Sequence, residues 1–232
     1  MKIGIIQSNY LPWKGYFDLI HDADLFIFHD DLQYTKNDWR NRNKIKTPQG
    51  LAWLTIPVGT DEHRLINQVR LPADGSWAQR HWQLLTEHYR AAPYFKHCEA
   101  FFRDIYERMP WATLSELNQH LITKITKEFL GIDKLFARSE QFSLQSSKQD
   151  RVLELLHAVR ATAYVSGPAA KTYINPERFA REGIELIWKD YNGYPEYPQF
   201  YPPFEHSVSI MDLLFQTGPA AADYIWGWRK AG

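Results

Sequence analysis

Ile3-Gly4-Ile5-Ile6-Gln7-Ser8-Asn9-Tyr10-Leu11-Pro12-Trp13-Lys14-Gly15-Tyr16-Phe17 is the stretch whose reading decides the fold. Ile3 to Ile6 is an apolar run of buried-strand length. Pro12 and Gly15 break it into a polar loop, and Tyr16 to His21 has the pattern of an amphipathic helix. Strand, loop and helix in that order make the first half of a βαβ unit. In such units ligands collect beyond the carboxyl end of the strand. Gln7, Asn9 and Tyr10 can each donate and accept hydrogen bonds. The loop is therefore expected to form one wall of a ligand site for an amide, a sugar hydroxyl or a carboxylate. The competing reading is that these groups satisfy the loop's own backbone.

Leu25 to Phe28 is a second buried strand, parallel to the first because a helix lies between them. It ends in His29-Asp30-Asp31. Neighbours on a strand point to opposite sides, so one of Asp30 and Asp31 is expected to face a pocket. That carboxylate suits a general base for an amine nucleophile or a magnesium ligand; a turn or helix cap is the alternative. His29 reads as a core histidine. Leu32 to Lys46 is polar and basic with no clear period, which reads as a solvated or ligand-binding loop. Within it Arg40, Arg42, Lys44 and Lys46 alternate with Asn41 and Asn43. Arginine suits bidentate phosphate contacts, as in a nucleotide-sugar pyrophosphate or a carrier's phosphopantetheine. A solvated charged face is the competing reading.

Further along, Leu51 to Val58 is strand-like and Leu65 to Leu71 reads as another short strand. Helices are expected over Trp77 to Tyr89, from Pro93 to Arg108, and over Glu116 to Leu130 with Thr113 or Ser115 as cap. These make a helical insertion around 76–130. Phe136 to Ser139 and Ala163 to Gly167 read as strands, with the helix Arg151 to Arg160 between them. A helix around Pro176 to Arg181 precedes the strand Ile184 to Tyr191. The alternation predicts a single α/β domain over 1–232, with a mainly parallel sheet flanked by helices. Ser166-Gly167 follows a strand, where its backbone amides could hold an anion. Tyr194 to Phe204 is rich in proline and aromatic residues and is expected to be extended; Tyr197 and Gln199 within it could stack on or bond a sugar. A last helix covers Ser209 to Phe215.

The chain of 232 residues has 27 basic and 27 acidic residues, so general nucleic-acid or anionic-membrane binding is not expected. Its one cysteine, Cys98, cannot close an internal disulfide, which fits a cytoplasmic location. No apolar run has the length of a secretory signal or a transmembrane helix. The histidines show no zinc-site spacing and there is no P-loop. Aromatic residues make up 15%, with nine tryptophans, many beside polar residues in the manner of pocket walls.

Three stretches together resemble a known family: Gln7 to Phe17, Asp30 to Lys46, and the set Ser166-Gly167, Tyr173, Tyr197-Pro198-Gln199 and Ser209 to Leu214. Their order and spacing are similar to the WbqC-like family over nearly the whole chain, although position 8, usually proline there, is Ser8. The resemblance implies a role in bacterial surface-polysaccharide synthesis; some members are labelled glycine transferases. A second, fold-level likeness is to nucleotidyltransferases with a HIGH-type signature, whose triphosphate-holding histidines have no counterpart here; it implies a Rossmann-like, nucleotidyltransferase-like sheet.

The expectation is a transferase that adds an aminoacyl (for instance glycyl) or acyl group to a nucleotide-linked or lipid-linked aminosugar, from an aminoacyl donor or carrier. Asp30 or Asp31 would take the amine proton. Gln7, Asn9, Tyr10, Gln33, Tyr34, Asn41, Tyr173, Tyr197 and Gln199 would orient substrate. Arg40, Arg42 and Lys46 would hold a phosphorylated moiety, and Gly15, Ser166 and Gly167 are further substrate-binding positions. The alternatives are a nucleotide-dependent ligase or nucleotidyltransferase relative, and a non-catalytic sugar- or nucleotide-binding module. No cofactor is firmly implied; magnesium at Asp30 or Asp31 is an open alternative to the base role.

Overall fold

The computed structural model describes residues 1–108 and 110–229. Strand β1 (Lys2–Ile6), helix α1 (Lys14–Asp22) and strand β2 (Leu25–Phe28) form the expected parallel unit, with Ile3 opposite Leu25. β5 (Leu135–Arg138) pairs with the far side of β2, and β6 (Ala163–Ser166) with the other side of β1. β7 (Glu185–Trp188) completes a parallel sheet of order β5-β2-β1-β6-β7. The chain first winds outward from β1 through β2 to β5. Helix α5 (Lys148–Ala158) then returns it to β6, and α6 (Pro176–Arg181) joins β6 to β7. The winding reverses between β1 and β6. In open parallel sheets the crevice above the carboxyl ends at that reversal is where ligands bind. The α/β, Rossmann-like architecture read from the sequence is thus present.

The period-2 alternation of the strands distributes side chains to two cores. Ile3, Ile5, Ile27 and Tyr164 face α5 and α6, with Leu153, Leu156 and Phe179. Phe26, Phe28 and Val165 face the opposite layer. Gly4 lets α1 approach on that second side, since a Cβ there would lie 2.8 Å from Leu19 Cδ2. The second layer comprises α1 with α2 (Ser76–Tyr89), α3 (Phe95–Arg108), α4 (Leu114–Lys124) and α7 (Ile210–Thr217). The expected middle helices are there, and α4 carries its capping box: Thr113 accepts from Glu116 N while Glu116 accepts from Thr113 N. These helices form a layer rather than a lobe of their own, because one apolar cluster runs from Tyr10 and Phe17 through Phe102 to Phe215.

Two local expectations are corrected. The polar stretch read as a loop contains β3 (Arg42–Thr47), paired antiparallel with β4 (Gly50–Thr55) as a hairpin. Its inward residues are Asn43, Ile45 and Thr47, so a single apolar side chain marks the buried face and the alternation is hidden. Leu65 to Leu71 is not a strand: a short 3-10 turn, Ile66–Gln68, sits between lone bridges from Gln33 to Leu65 and from Arg70 to Thr113.

Candidate functional site

The loop after β1 is fixed from several directions at once. Ser8 N–H donates to Asp30 Oδ1 at 2.7 Å and Tyr10 N–H to Trp39 O at 2.9 Å. Asn43 Nδ2 donates to the carbonyls of Tyr10 and Leu11 at 3.2 and 2.7 Å. Ile210 N–H, at the start of α7, donates to Pro12 O. These bonds hold Leu11 at φ 45°, a left-handed conformation unfavourable for a branched side chain. Trp13 lies across Gly15, where a Cβ would sit 2.2 Å from the indole Cζ2. Gly15 is therefore required by packing.

Two side chains of this loop remain available. Arg40 donates to Asn9 Oδ1, and its other terminal nitrogen to Gln7 Oε1 at 3.3 Å. Guanidinium has no acceptor, so it fixes both carboxamides with oxygen toward Arg40 and nitrogen away. Neither carboxamide nitrogen bonds another described residue. Arg40 is itself steadied by Asp38 at 3.7 Å, and Asn118 Nδ2 holds its carbonyl at 2.8 Å. Burial alone would raise the Asp38 pKa, but Arg40, the Thr35 hydroxyl and the Trp39 N–H together lower it. The result is a cluster at the carboxyl end of the central strand whose two carboxamide nitrogens keep their N–H donors unspent among the described residues.

Beside Asn9 is a cavity of about 170 Å³ lined by Asn9, Pro12, Trp13, Trp39, Asn43 and Ser207. Trp13 and Trp39 provide apolar walls, which suits a sugar ring. A wider groove of about 580 Å³ lies over the stacked rings of Phe28 and Phe136, at the ends of β2 and β5.

The acidic pair divides. Asp30 is fully buried and accepts from Ser8 N, Ser115 Oγ at 2.6 Å and Gln119 Nε2 at 2.7 Å. Enclosed by donors, it has no face for a substrate amine, and a magnesium ion does not fit where N–H and O–H groups already point. Asp31 is 15% exposed at its side chain and is held by Arg151 and Ser139, with His29 Nε2 3.8 Å away. His29 is buried, and desolvation lowers its pKa. Arg151 Nε donates to His29 Nε2 at 3.2 Å, so sequence reading missed Arg151 and Ser139 as partners of this acid.

Most of the other candidates are committed internally. The Tyr10 hydroxyl joins Tyr106 at 2.6 Å and His81 Nδ1 at 2.9 Å, while His81 Nε2 donates to Thr55 O. Asn41 is buried and donates to Ile56 O. Lys46 is buried and donates to Pro203 O. Tyr197 and Gln199 converge with Tyr89 on buried Asp212 at 2.6 to 2.8 Å. Tyr34 is buried beneath the Arg64 guanidinium, and Gln33 is exposed in the bridge to Leu65. Ser166 is buried, its hydroxyl 3.4 Å from that of Tyr164. Gly167 faces the Tyr191 hydroxyl, and Tyr173 is 67% exposed. The Arg42 guanidinium sits over the Trp53 ring. The structure therefore brings Gln7, Asn9 and Arg40 together, while Tyr197 and Gln199 are committed to Asp212 and Tyr173 stands exposed. Trp13, Trp39 and Ser207 were missed because they meet only in three dimensions.

Among the described residues one acid–histidine group, Asp18, His21 and Asp22, has metal-like spacing. Its oxygens already hold cations: Asp18 accepts from Lys189 and Arg229, Asp22 accepts from Lys189, and His21 stacks on Trp226. That chemistry is structural.

Residues 7–224 match the WbqC-like protein family. The chain is 44% identical over 227 residues, 97% of each chain, to the uncharacterized protein Rv1507c of Mycobacterium tuberculosis. No solved structure matches it. The match begins at Gln7 and takes in the Arg40-anchored carboxamides, the β3–β4 hairpin and the α7 cap that together build this site, and the chain belongs to the WbqC-like protein family.

Proposed function

We propose that this chain is a cytoplasmic transferase that adds an aminoacyl (in the simplest case glycyl) or other acyl group to the amine of an aminosugar in bacterial surface-glycan biosynthesis. The observation that carries the reading is the pair of carboxamides on Gln7 and Asn9, their oxygens locked by Arg40 and their nitrogens free of described partners, with Asn9 lining a cavity that has aromatic walls. Fixed neutral donors at the end of a central strand suit the oxygen that becomes negative when an amine attacks a carbonyl. The sugar ring occupies the cavity between Trp13 and Trp39. Its amine nitrogen bonds to the acyl carbon, the carbonyl oxygen takes up charge against Gln7 and Asn9, and the tetrahedral centre collapses with loss of the donor's leaving oxygen or sulfur. Asp31, the accessible member of the acidic pair, takes the amine proton. Direct attack needs no protein nucleophile, and holding amine and carbonyl together supplies the main part of the acceleration. That no helix among the described residues is long and apolar enough to cross a membrane is compatible with this setting.

The test is incubation of the purified chain with UDP-linked aminosugars bearing a free amine and with glycyl and acetyl thioesters, read by mass spectrometry. An acylated sugar formed by the wild type and lost in Asp31→Asn supports the assignment. A wild type inactive with every amine acceptor and donor pair refutes it.

A further inference from the structure

The outer face of the β3–β4 hairpin, next to the cavity, has no part in the transfer chemistry just described. The register sets Arg42, Lys44 and Lys46 opposite Thr55, Trp53 and Leu51 on this face. Lys46 turns inward to Pro203 O. What remains outside is chiefly aromatic and cationic, with Leu51 exposed at one end and Thr55 at the other. Trp39 and Trp53 are 41% and 43% exposed, and their rings lie 5.7 Å apart. The Arg42 guanidinium is 4.2 Å from the centre of the Trp53 ring; Lys44 Nζ is 5.4 Å from Trp53 and 5.7 Å from Trp39. Among the described residues neither Arg42 nor Lys44 forms an ion pair, whereas nearby Lys36 and Arg40 each have an acid. The Arg42 Nε is buried with no hydrogen-bond partner. Beyond Trp53 the surface falls into a groove of about 470 Å³ with Trp77 and Arg80 on its walls.

We propose that this face is the binding platform for the nucleoside diphosphate of a nucleotide-linked aminosugar, so that the acceptor arrives on a nucleotide and not on a lipid. The inference rests on the transfer reaction proposed above. Three features argue for it together. The first is charge: unpaired cations in a chain whose total charge is balanced mark a local anion site, and guanidinium suits phosphate. The second is shape: two exposed indoles, tilted by 38° to one another, offer π-faces on which a nucleobase stacks and an isolated phosphate does not. The third is continuity. Trp39 belongs both to the platform and to the sugar-sized cavity. At about 170 Å³ that cavity falls below the roughly 300–1,000 Å³ of pockets that enclose a whole drug-sized ligand. A sugar ring fits inside, and the group it is attached to must lie outside, where the surface it meets first is Trp39 with Lys44 beside it. A lipid carrier would find apolar area interrupted by cations.

The test uses the full chain and free UDP, GDP, dTDP and CDP, titrated by tryptophan fluorescence and calorimetry. The variants are Trp53→Ala, which lies outside the sugar cavity, and the double substitution Arg42→Gln with Lys44→Gln; both sites are exposed or half-buried, and circular dichroism confirms folding. At least one diphosphate is expected to bind, with affinity reduced about tenfold or more in each variant and more weakly held at high salt. In the transfer assay the same variants are expected to raise KM for the nucleotide-sugar about tenfold while kcat stays within about twofold. Absence of binding by all four diphosphates to the wild type overturns the platform. So does binding unchanged in both variants, or a single-stranded oligonucleotide that binds more tightly than any diphosphate. Transfer to a free or lipid-linked aminosugar, measured separately, keeps the transferase reading alive when the platform fails, and its loss with intact diphosphate binding separates the opposite case.

Discussion

Replacing Asp30 isolates the part of the site that is scaffold. Its carboxylate is fully buried and holds three donors from three segments: Ser8 N–H, the Ser115 hydroxyl and the Gln119 carboxamide. Asp30→Ala strands all three. Each buried donor left unsatisfied costs about 1–3 kcal/mol, so about 4 kcal/mol is expected for the three, which relax together and do not simply add. Asp30→Asn is milder. Its remaining oxygen still accepts from Ser8, the Gln119 carboxamide turns over to offer its oxygen, and the Ser115 hydroxyl rotates to accept, at a cost of about 1–2 kcal/mol.

Urea denaturation followed by tryptophan fluorescence measures both. With a slope of about 2 kcal/mol per molar, Asp30→Ala lowers the midpoint by about 2 M and Asp30→Asn by less than about 1 M. Because Asp30 meets no substrate, folded Asp30→Asn retains turnover while Asp31→Asn loses it. An Asp30→Ala midpoint within about 0.5 M of wild type would refute the scaffold reasoning. A folded Asp30→Asn without turnover would return the base role to Asp30.

Gly15→Ala drives a methyl into the Trp13 indole and is expected to cost about 1–3 kcal/mol by urea melt and to blunt transfer, because Trp13 walls the cavity. Cys98 is fully buried and desolvation pushes its pKa up to about 12, so a thiol reagent at neutral pH should label it only after denaturation. Burial lowers the His81 pKa from 6.5 to about 4, so the folded state holds this histidine neutral where the unfolded chain protonates it. Stability from this group is full above the unfolded value and is lost as pH falls toward 4, by about 3 kcal/mol across the window. Urea midpoints at about pH 7 and pH 4.5 should show a shallower acid loss in His81→Gln than in wild type.

The sheet was legible because burial on two faces leaves continuous apolar runs such as Ile3–Ile6 and Leu25–Phe28, and because proline, glycine and caps punctuate the helices. The polar residues were harder. Tyr10, Lys46 and Tyr197 have the same chemistry whether they face a ligand or an internal partner. Those partners lie far along the chain, His81 for Tyr10 and Pro203 for Lys46. No local pattern encodes such pairs. Trp39 and Trp53 were equally hidden, since their contact depends on the register of a hairpin whose first strand has one apolar inward residue. Arg40 was read as a phosphate grip from its charge; its position beneath two carboxamides gives it a positioning role instead.

The distribution of acids and carboxamides follows from what each group can still do once it is held. Asp18, Asp30 and Asp212 are all fully buried, and each gathers donors from several segments. A carboxylate fixed in this way keeps only acceptor capacity, which the surrounding donors occupy. A carboxamide fixed through its oxygen keeps two N–H donors in a known direction. Gln7 and Asn9 are therefore the residue types that an outward, rigid donor requires, and Asn9→Asp separates holding from donating. The carboxylate is isosteric and pairs with Arg40 at least as well, so the urea midpoint should stay at or above wild type. The outward donors are gone and a negative charge stands where the oxyanion would form. Loss of one such donor costs about 10²–10³ in kcat, and the added charge deepens the loss. A well-folded Asn9→Asp protein that keeps turnover within about tenfold of wild type would show that the Asn9 nitrogen stabilises no developing charge, and the acyl-transfer geometry built on it would fall.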